Sequence, residues 1–216
     1  MKNHDYFLFD ADGTLIDTTE LICQSFTYTC KTFGGLTIPR EKIIHHIGLP
    51  LRKQMEVYFG PLSNEQFAKR AAAHMEYQLS IYKKHLRLFP TVLEGLTALY
   101  ESGKHLAIVT SRRKETLDLY LQETGIYKYF SVFVTPESTQ THKPDPGPAL
   151  EAMRLLFCSD PLKAVFIGDS EFDIECGSRA NLDTTFVLWS ENDPATFPTK
   201  PTYCISDLRQ LCNTDC

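Results

Sequence analysis

Short, nearly uninterrupted apolar runs separated by amphipathic helical patterns constrain this chain more than any other feature. The runs are Tyr6 to Phe9, Leu106 to Val109, Val132 to Val134, Ala164 to Ile167 and Thr185 to Leu188. Between Thr91 and Ser102 the apolar positions Val92, Leu93, Leu96, Leu99 and Tyr100 share one helical face, and Gly103 supplies the stop. The next helix carries Leu117, Tyr120 and Leu121 before Gly125; another follows Pro146 and Pro148 with Leu150, Met153 and Phe157 at helical spacing. Strand and helix therefore alternate, the sign of an α/β chain with a doubly wound, mostly parallel, Rossmann-like sheet covered by helices on both faces. A short strand at Tyr203 to Ile205 and a helix from Ser206 complete the expectation, followed by a loose tail.

One stretch breaks the alternation. From Asp17 to His85 there is no convincing strand, only successive helical patterns. The first carries Ile22, Phe26, Cys30 and Phe33 and stops at Gly34; a second begins near Pro39; a third carries Leu51, Met55 and Phe59 before Gly60. The fourth opens on Ser63 and Gln66, the spacing of a capping box, and aligns Phe67, Ala71, His74, Gln78 and Tyr82. The spacing predicts a core made of residues 1–17 and 85–216, interrupted by an all-helical cap at 18–84.

Composition excludes several classes. With 43% hydrophobic residues the chain has the apolar mass for a packed core, and a net charge of -5 argues against a protein that neutralises a nucleic-acid backbone. No stretch approaches the roughly 18 uninterrupted apolar residues of a membrane helix, and Met1 to Asp5 lead into too short a run for a signal peptide. The seven cysteines are odd in number and form no CxxC pair, so neither zinc nor a disulfide framework is expected. A cytoplasmic protein without membrane or nucleic-acid partners fits these features.

Chemistry concentrates where the apolar runs end. Phe9-Asp10-Ala11-Asp12-Gly13-Thr14-Leu15 sets two acids and a flexible glycine directly after the first run. Ile108-Val109-Thr110-Ser111 ends on two hydroxyls, His142-Lys143-Pro144-Asp145 places a lysine before a helix, and Ile167-Gly168-Asp169-Ser170-Glu171-Phe172-Asp173 adds two more acids. Parallel sheets bind ligands beyond the carboxyl ends of their strands, so these segments converge on one crevice. Carboxylates from two strands suit a hard cation such as Mg2+, and a lysine with hydroxyls and amides suits phosphoryl oxygens.

This ordered set resembles the haloacid dehalogenase-like superfamily of phosphohydrolases, with the helical insertion similar to that family's C1-type cap. The resemblance implies that Asp10 is the nucleophile forming an aspartyl-phosphate and that Asp12 protonates the leaving oxygen, then activates water. It implies Thr110, the Ser111 amide and Lys143 for the phosphoryl group. It also implies Mg2+ held by Asp10, Asp169 and the Asp12 carbonyl, with Asp173 as an outer partner. The second acid, Asp12, is unlike the dehalogenases and phosphonatases, and Ile22 stands where the sugar-phosphate mutases carry histidine. The DGTLIDT and HKPDP segments and Ile47 to Leu51 look most like the phosphoglycolate phosphatase and pyrophosphatase-like branch, implying a phosphatase of small phosphorylated metabolites. Sugar phosphates and inorganic pyrophosphate are the alternatives within the family. A noncatalytic phospho-accepting receiver is the alternative from another class, and the position of the two acids on the first strand, with a cap behind them, argues against it.

Substrate choice is expected from the cap, where Arg52 and Lys53 follow the flexible segment His45 to Leu51, and from Arg112 beside the phosphate-binding residues. The competing expectation makes Arg52 and Lys53 a solvated helix face and pairs Arg112 and Arg113 with neighbours such as Glu115.

Overall fold

The computed structural model describes residues 3–212; Cys216 and the expected tail lie outside them. In chain order the elements are β1 (Tyr6–Phe9), β2 (Ile16–Asp17), α1 (Thr19–Gly34), α2 (Arg40–His45), α3 (Leu51–Phe59), α4 (Asn64–His85), β3 (Arg87–Leu88), α5 (Val92–Glu101), β4 (His105–Val109) and α6 (Lys114–Glu123). There follow β5 (Val132–Val134), α7 (Gly147–Leu155), β6 (Ala164–Gly168), α8 (Glu171–Arg179), β7 (Asp183–Val187) and β8 (Tyr203–Ile205). Six strands form one sheet in the order β5-β4-β1-β6-β7-β8. Every adjacent pair in it is parallel.

The strands read as continuous apolar runs because both sheet faces are covered. Phe7, Phe9, Leu106, Ile108, Val165 and Ile167 pack into one buried cluster, while Leu8, Ala107, Val109, Ala164 and Phe166 enter another on the opposite face. Each of the Val, Leu, Ile and Phe side chains stabilises the sheet by about 1.5 to 3 kcal/mol when fully buried. Register then fixes the site: Phe9 lies opposite Ile108 of β4 and Ile167 of β6. The residues that follow these three strands therefore emerge side by side, where the connection from β1 runs to one side of the sheet and that from β6 to the other.

Helices α1 to α4 pack around their own cluster, including Phe26, Cys30, Ile43, Met55 and Tyr58. The capping box at the start of α4 forms as expected: Ser63 Oγ accepts from Gln66 N at 3.2 Å and Gln66 Oε1 accepts from Ser63 N at 3.0 Å. Three features depart from the sequence expectation. Strands β2 and β3 pair antiparallel at either end of the helical segment, with Arg87 donating to Asp17 at 2.8 Å; two-residue strands carry no periodicity to detect. Along α7 the buried face is Ala149, Ala152 and Met153, whereas Leu150 is half exposed and Phe157 lies beyond the helix in a left-handed conformation, 90% exposed. The expected terminal helix is a short 3-10 turn, Leu208–Leu211. No helix among the described residues is long and apolar enough to cross a membrane.

Candidate active site

Asp10 leaves the end of β1 into a buried cluster of opposite charges. Its Oδ1 accepts from Lys143 Nζ at 2.7 Å, and the same ammonium donates to Asp173 Oδ1 at 2.6 Å. All three side chains are buried. The other oxygen of Asp173 accepts from Ser170 N and Oγ at 3.1 and 2.6 Å, closing the N-terminus of α8. Lys143 is thus fixed by an acid whose two oxygens are both engaged, and it presents its charge to Asp10. Burial by itself would lower the affinity of Lys143 for its proton; the Asp10 and Asp173 carboxylates reverse that and hold it as an ammonium.

Asp169, at the end of β6, completes the cluster. One oxygen each of Asp10, Asp169 and Asp173 lies within 4.8 Å of the others. Burial pushes Asp10 up to about 7, against the pull of Lys143 and with the carboxylates of Asp173 and Asp12 adding to the rise. Burial and the same neighbours push Asp169 well above the ordinary carboxylate range. Crowded hard oxygens short of positive charge are the donor set that suits Mg2+. Gly13 makes the close approach possible: it has φ +79°, and a Cβ there would meet Asp169 Oδ2 at 2.2 Å.

Asp12 takes its hydrogen bonds from outside this cluster. Its Oδ1 accepts from Thr18 Oγ1 at 2.6 Å and Arg112 Nη2 at 2.7 Å, and its Oδ2 accepts from Arg112 Nε at 2.8 Å. Arg112 therefore holds a two-pronged ion pair with Asp12, its side chain only 7% exposed. Its remaining arm donates to Gln78 Oε1 of α4 at 3.2 Å, and the guanidinium lies 4.4 Å from the centre of the Tyr120 ring. For Arg112 the sequence left open a place at the substrate or a pairing with a helix neighbour such as Glu115; its partner is Asp12, 100 residues away in the chain.

Thr110 and Ser111 follow β4 on the other side of Asp10. The Thr110 hydroxyl accepts from Arg112 N at 3.1 Å, and Ser111 Oγ donates to the carbonyl of Gly48, at the tip of the helical segment, at 2.5 Å. Asp10, Asp12, Thr110, Ser111 and Arg112 line one crevice, roofed from the helical segment by Ile47, Gly48, Gln54, His74, Met75 and Gln78. His74 and Gln78 were visible in the sequence only as positions on a helical face. His74 is buried, bonded to Thr29 at 3.1 Å, and burial beside Arg112 lowers its pKa to about 4, so it is neutral at physiological pH.

Neither cation of the helical segment that was expected to meet the substrate, Arg52 or Lys53, lines this crevice. Arg52 donates to Glu56 at 3.1 Å and to the Leu62 carbonyl at 2.7 Å and lies 5.0 Å from the centre of the Phe67 ring, fastening α3 to α4. Lys53 is exposed.

A family model described as haloacid dehalogenase-like hydrolase matches residues 7–187. The pyrophosphatase PpaX of Bacillus pumilus is 34% identical over 206 residues, covering 94% of this chain and 93% of the relative. Among solved structures, a hydrolase from Pseudomonas syringae superimposes with a TM-score of 0.85 at 20% identity, over 98% of this chain and 97% of that one. A predicted phosphoglycolate phosphatase from Haemophilus somnus gives 0.83 at 23% identity, over 98% and 97% of the two chains. At these identities the structural matches establish the fold alone.

Proposed function

Because the chain belongs to the haloacid dehalogenase-like hydrolase family, we propose that it is a Mg2+-dependent phosphatase of small phosphorylated metabolites, acting through a phosphorylated Asp10, with phosphoglycolate as the first candidate substrate. The observation that carries this reading is the buried Asp10 at a strand end, 2.7 Å from Lys143 and beside Asp169. A second reading, inorganic pyrophosphate as substrate, is favoured by the pyrophosphatase name of the 34% identical relative.

In the proposed reaction an Asp10 oxygen attacks phosphorus while the bond to the leaving oxygen breaks, and Asp12 delivers a proton to that oxygen. Water then attacks the acyl phosphate, Asp12 takes the water's proton, and phosphate departs with Asp10 restored. Lys143 orients Asp10 and offsets charge on the equatorial oxygens, and Asp173 keeps Lys143 in place; Thr110 and the Ser111 amide hold the remaining oxygens. Mg2+, held by Asp10, Asp169 and the main-chain carbonyl of Asp12 with Asp173 behind, supplies further neutralisation of the phosphoryl group when bound. Residues 18–84 serve as the cap over the 1–17 and 85–216 core, a role supported by the Ser111 to Gly48 hydrogen bond across the crevice. The proposal includes a reducing, cytoplasmic setting, to which the free thiols of Cys23, Cys30, Cys158 and Cys176 are suited.

The test is phosphate release with Mg2+ across phosphoglycolate, pyrophosphate, sugar phosphates and nucleotides, in parallel with the Asp10→Asn variant. Repeated turnover of at least one small substrate, lost in the variant, is the expected result. A chain that accepts phosphate once without releasing it would instead be a receiver.

A further inference from the structure

Positive charge in the crevice comes from one side only. Where the helical segment borders it, it contributes apolar contacts from Ile47 and Met75, the amides of Gln54 and Gln78, and the neutral imidazole of His74, with no lysine or arginine. Two guanidinium groups border it from the loop after β4. That of Arg113 is 60% exposed and turned outward to Glu137 at 3.3 Å. Arg112 is the buried one, and its planar fork is occupied by Asp12.

That pairing has a chemical consequence. A carboxyl group fastened by a two-pronged guanidinium and by the Thr18 hydroxyl is not free to address a leaving oxygen. A buried guanidinium gives up such a partner only for another anion of similar geometry, since leaving it unpaired inside the protein is costly. Carboxylate and phosphate both qualify.

We infer that Arg112 is the specificity-determining residue for the leaving group: it exchanges its contact with Asp12 for a second anionic group carried by the substrate, a carboxylate or a second phosphate, and so frees Asp12 to turn toward the leaving oxygen. The inference rests on the phosphohydrolase reading above and narrows it to substrates with a charged leaving group. Charge is read by the core loop and shape by the helical roof, so that of the three expected specificity cations Arg112, not Arg52 or Lys53, meets the substrate. Substrates lacking the second anion bind beside an Asp12 still held by Arg112.

Three substrates separate this role from a merely structural one. Phosphoglycolate carries the second anion; ethyl phosphate has a similar size and an equally poor leaving group without it; 4-nitrophenyl phosphate reports the fold and the chemistry at Asp10. Arg112→Gln should lower kcat/KM for phosphoglycolate by about 100-fold, much of it in KM, and should raise it for ethyl phosphate, whose Asp12 is no longer held by the guanidinium. Arg112→Lys, which keeps the charge and loses the fork, should fall between, and it carries the same comparison if the glutamine variant does not fold. Equal losses on the two alkyl esters, or none on phosphoglycolate, would overturn the assignment. A parent chain inactive on all three, 4-nitrophenyl phosphate included, would overturn the phosphohydrolase reading and this inference with it.

Discussion

Lys143 is the residue on which the centre turns, because it is the only ammonium joined to the buried Asp10 and Asp173 among the described residues. Removing one partner of a buried ion pair typically costs 3–5 kcal/mol, since the carboxylates left behind have lost their compensation. Lys143→Met should therefore lower both stability and turnover, the latter by about 1,000-fold or more, checked by urea unfolding and phosphate release. Gly13→Ala is the complementary case: its Cβ would displace the Asp169 carboxylate, and φ +79° would strain the backbone. Its Mg2+ requirement, titrated by activity, should move to higher concentration by about tenfold or more while the circular dichroism stays that of the parent. Asp10, Lys143 and Asp169 were legible in the sequence because the two acids directly follow apolar strands and the lysine precedes a helix of the same parallel sheet, so all three belong to the crevice beyond the strands' carboxyl ends. The role of Arg112 was not, since its contact with Asp12 joins positions 100 residues apart and depends on how the loop after β4 turns.

At the scale of elements, α4 links the roof of the crevice to the rest of the helical segment. Its start is secured by the Ser63 and Gln66 capping box, a pattern readable from spacing alone. Ser63→Ala should cost about 1 kcal/mol, measured as a lower denaturation midpoint at unchanged activity. Farther along α4, His74 is held neutral, its value falling to about 4 chiefly through burial. Its folded value lies below that of the unfolded chain, so the stability it permits is intact above pH 6.5 and is lost as pH falls toward 4. The loss is on the order of 3 kcal/mol from this group. His74→Gln should flatten the stability profile across that window relative to the parent, and an unchanged slope would mean that other groups set the acid sensitivity. Strand and helix types were legible where apolar period and length agreed. At α7 the helix itself and the burial of Met153 were legible, but the rest of its buried face was not: small alanines rather than Leu150 and Phe157 face the sheet.

For the whole molecule, the sheet and the helical segment divide the work: the strands bring Asp10, Thr110 and Asp169 level, and the segment closes over them through Gly48. That the sheet was parallel and doubly wound followed from apolar runs that no solvent-facing strand would carry, while the path of the roof depended on packing that no local pattern encodes. Turnover should require Mg2+, fall on treatment with EDTA and return when the ion is restored, because burial leaves Asp10 and Asp169 short of positive charge. The central claim is that phosphate passes through Asp10. Acid quenching during turnover, followed by proteolysis and mass spectrometry, tests it most directly: the peptide spanning Phe9 to Leu15 should carry one acid-stable, alkali-labile phosphoryl group in the parent and none in Asp10→Asn, which should also lack turnover. An unmodified peptide throughout turnover, together with an Asp10→Asn variant that still releases phosphate at the parent's rate, would contradict it.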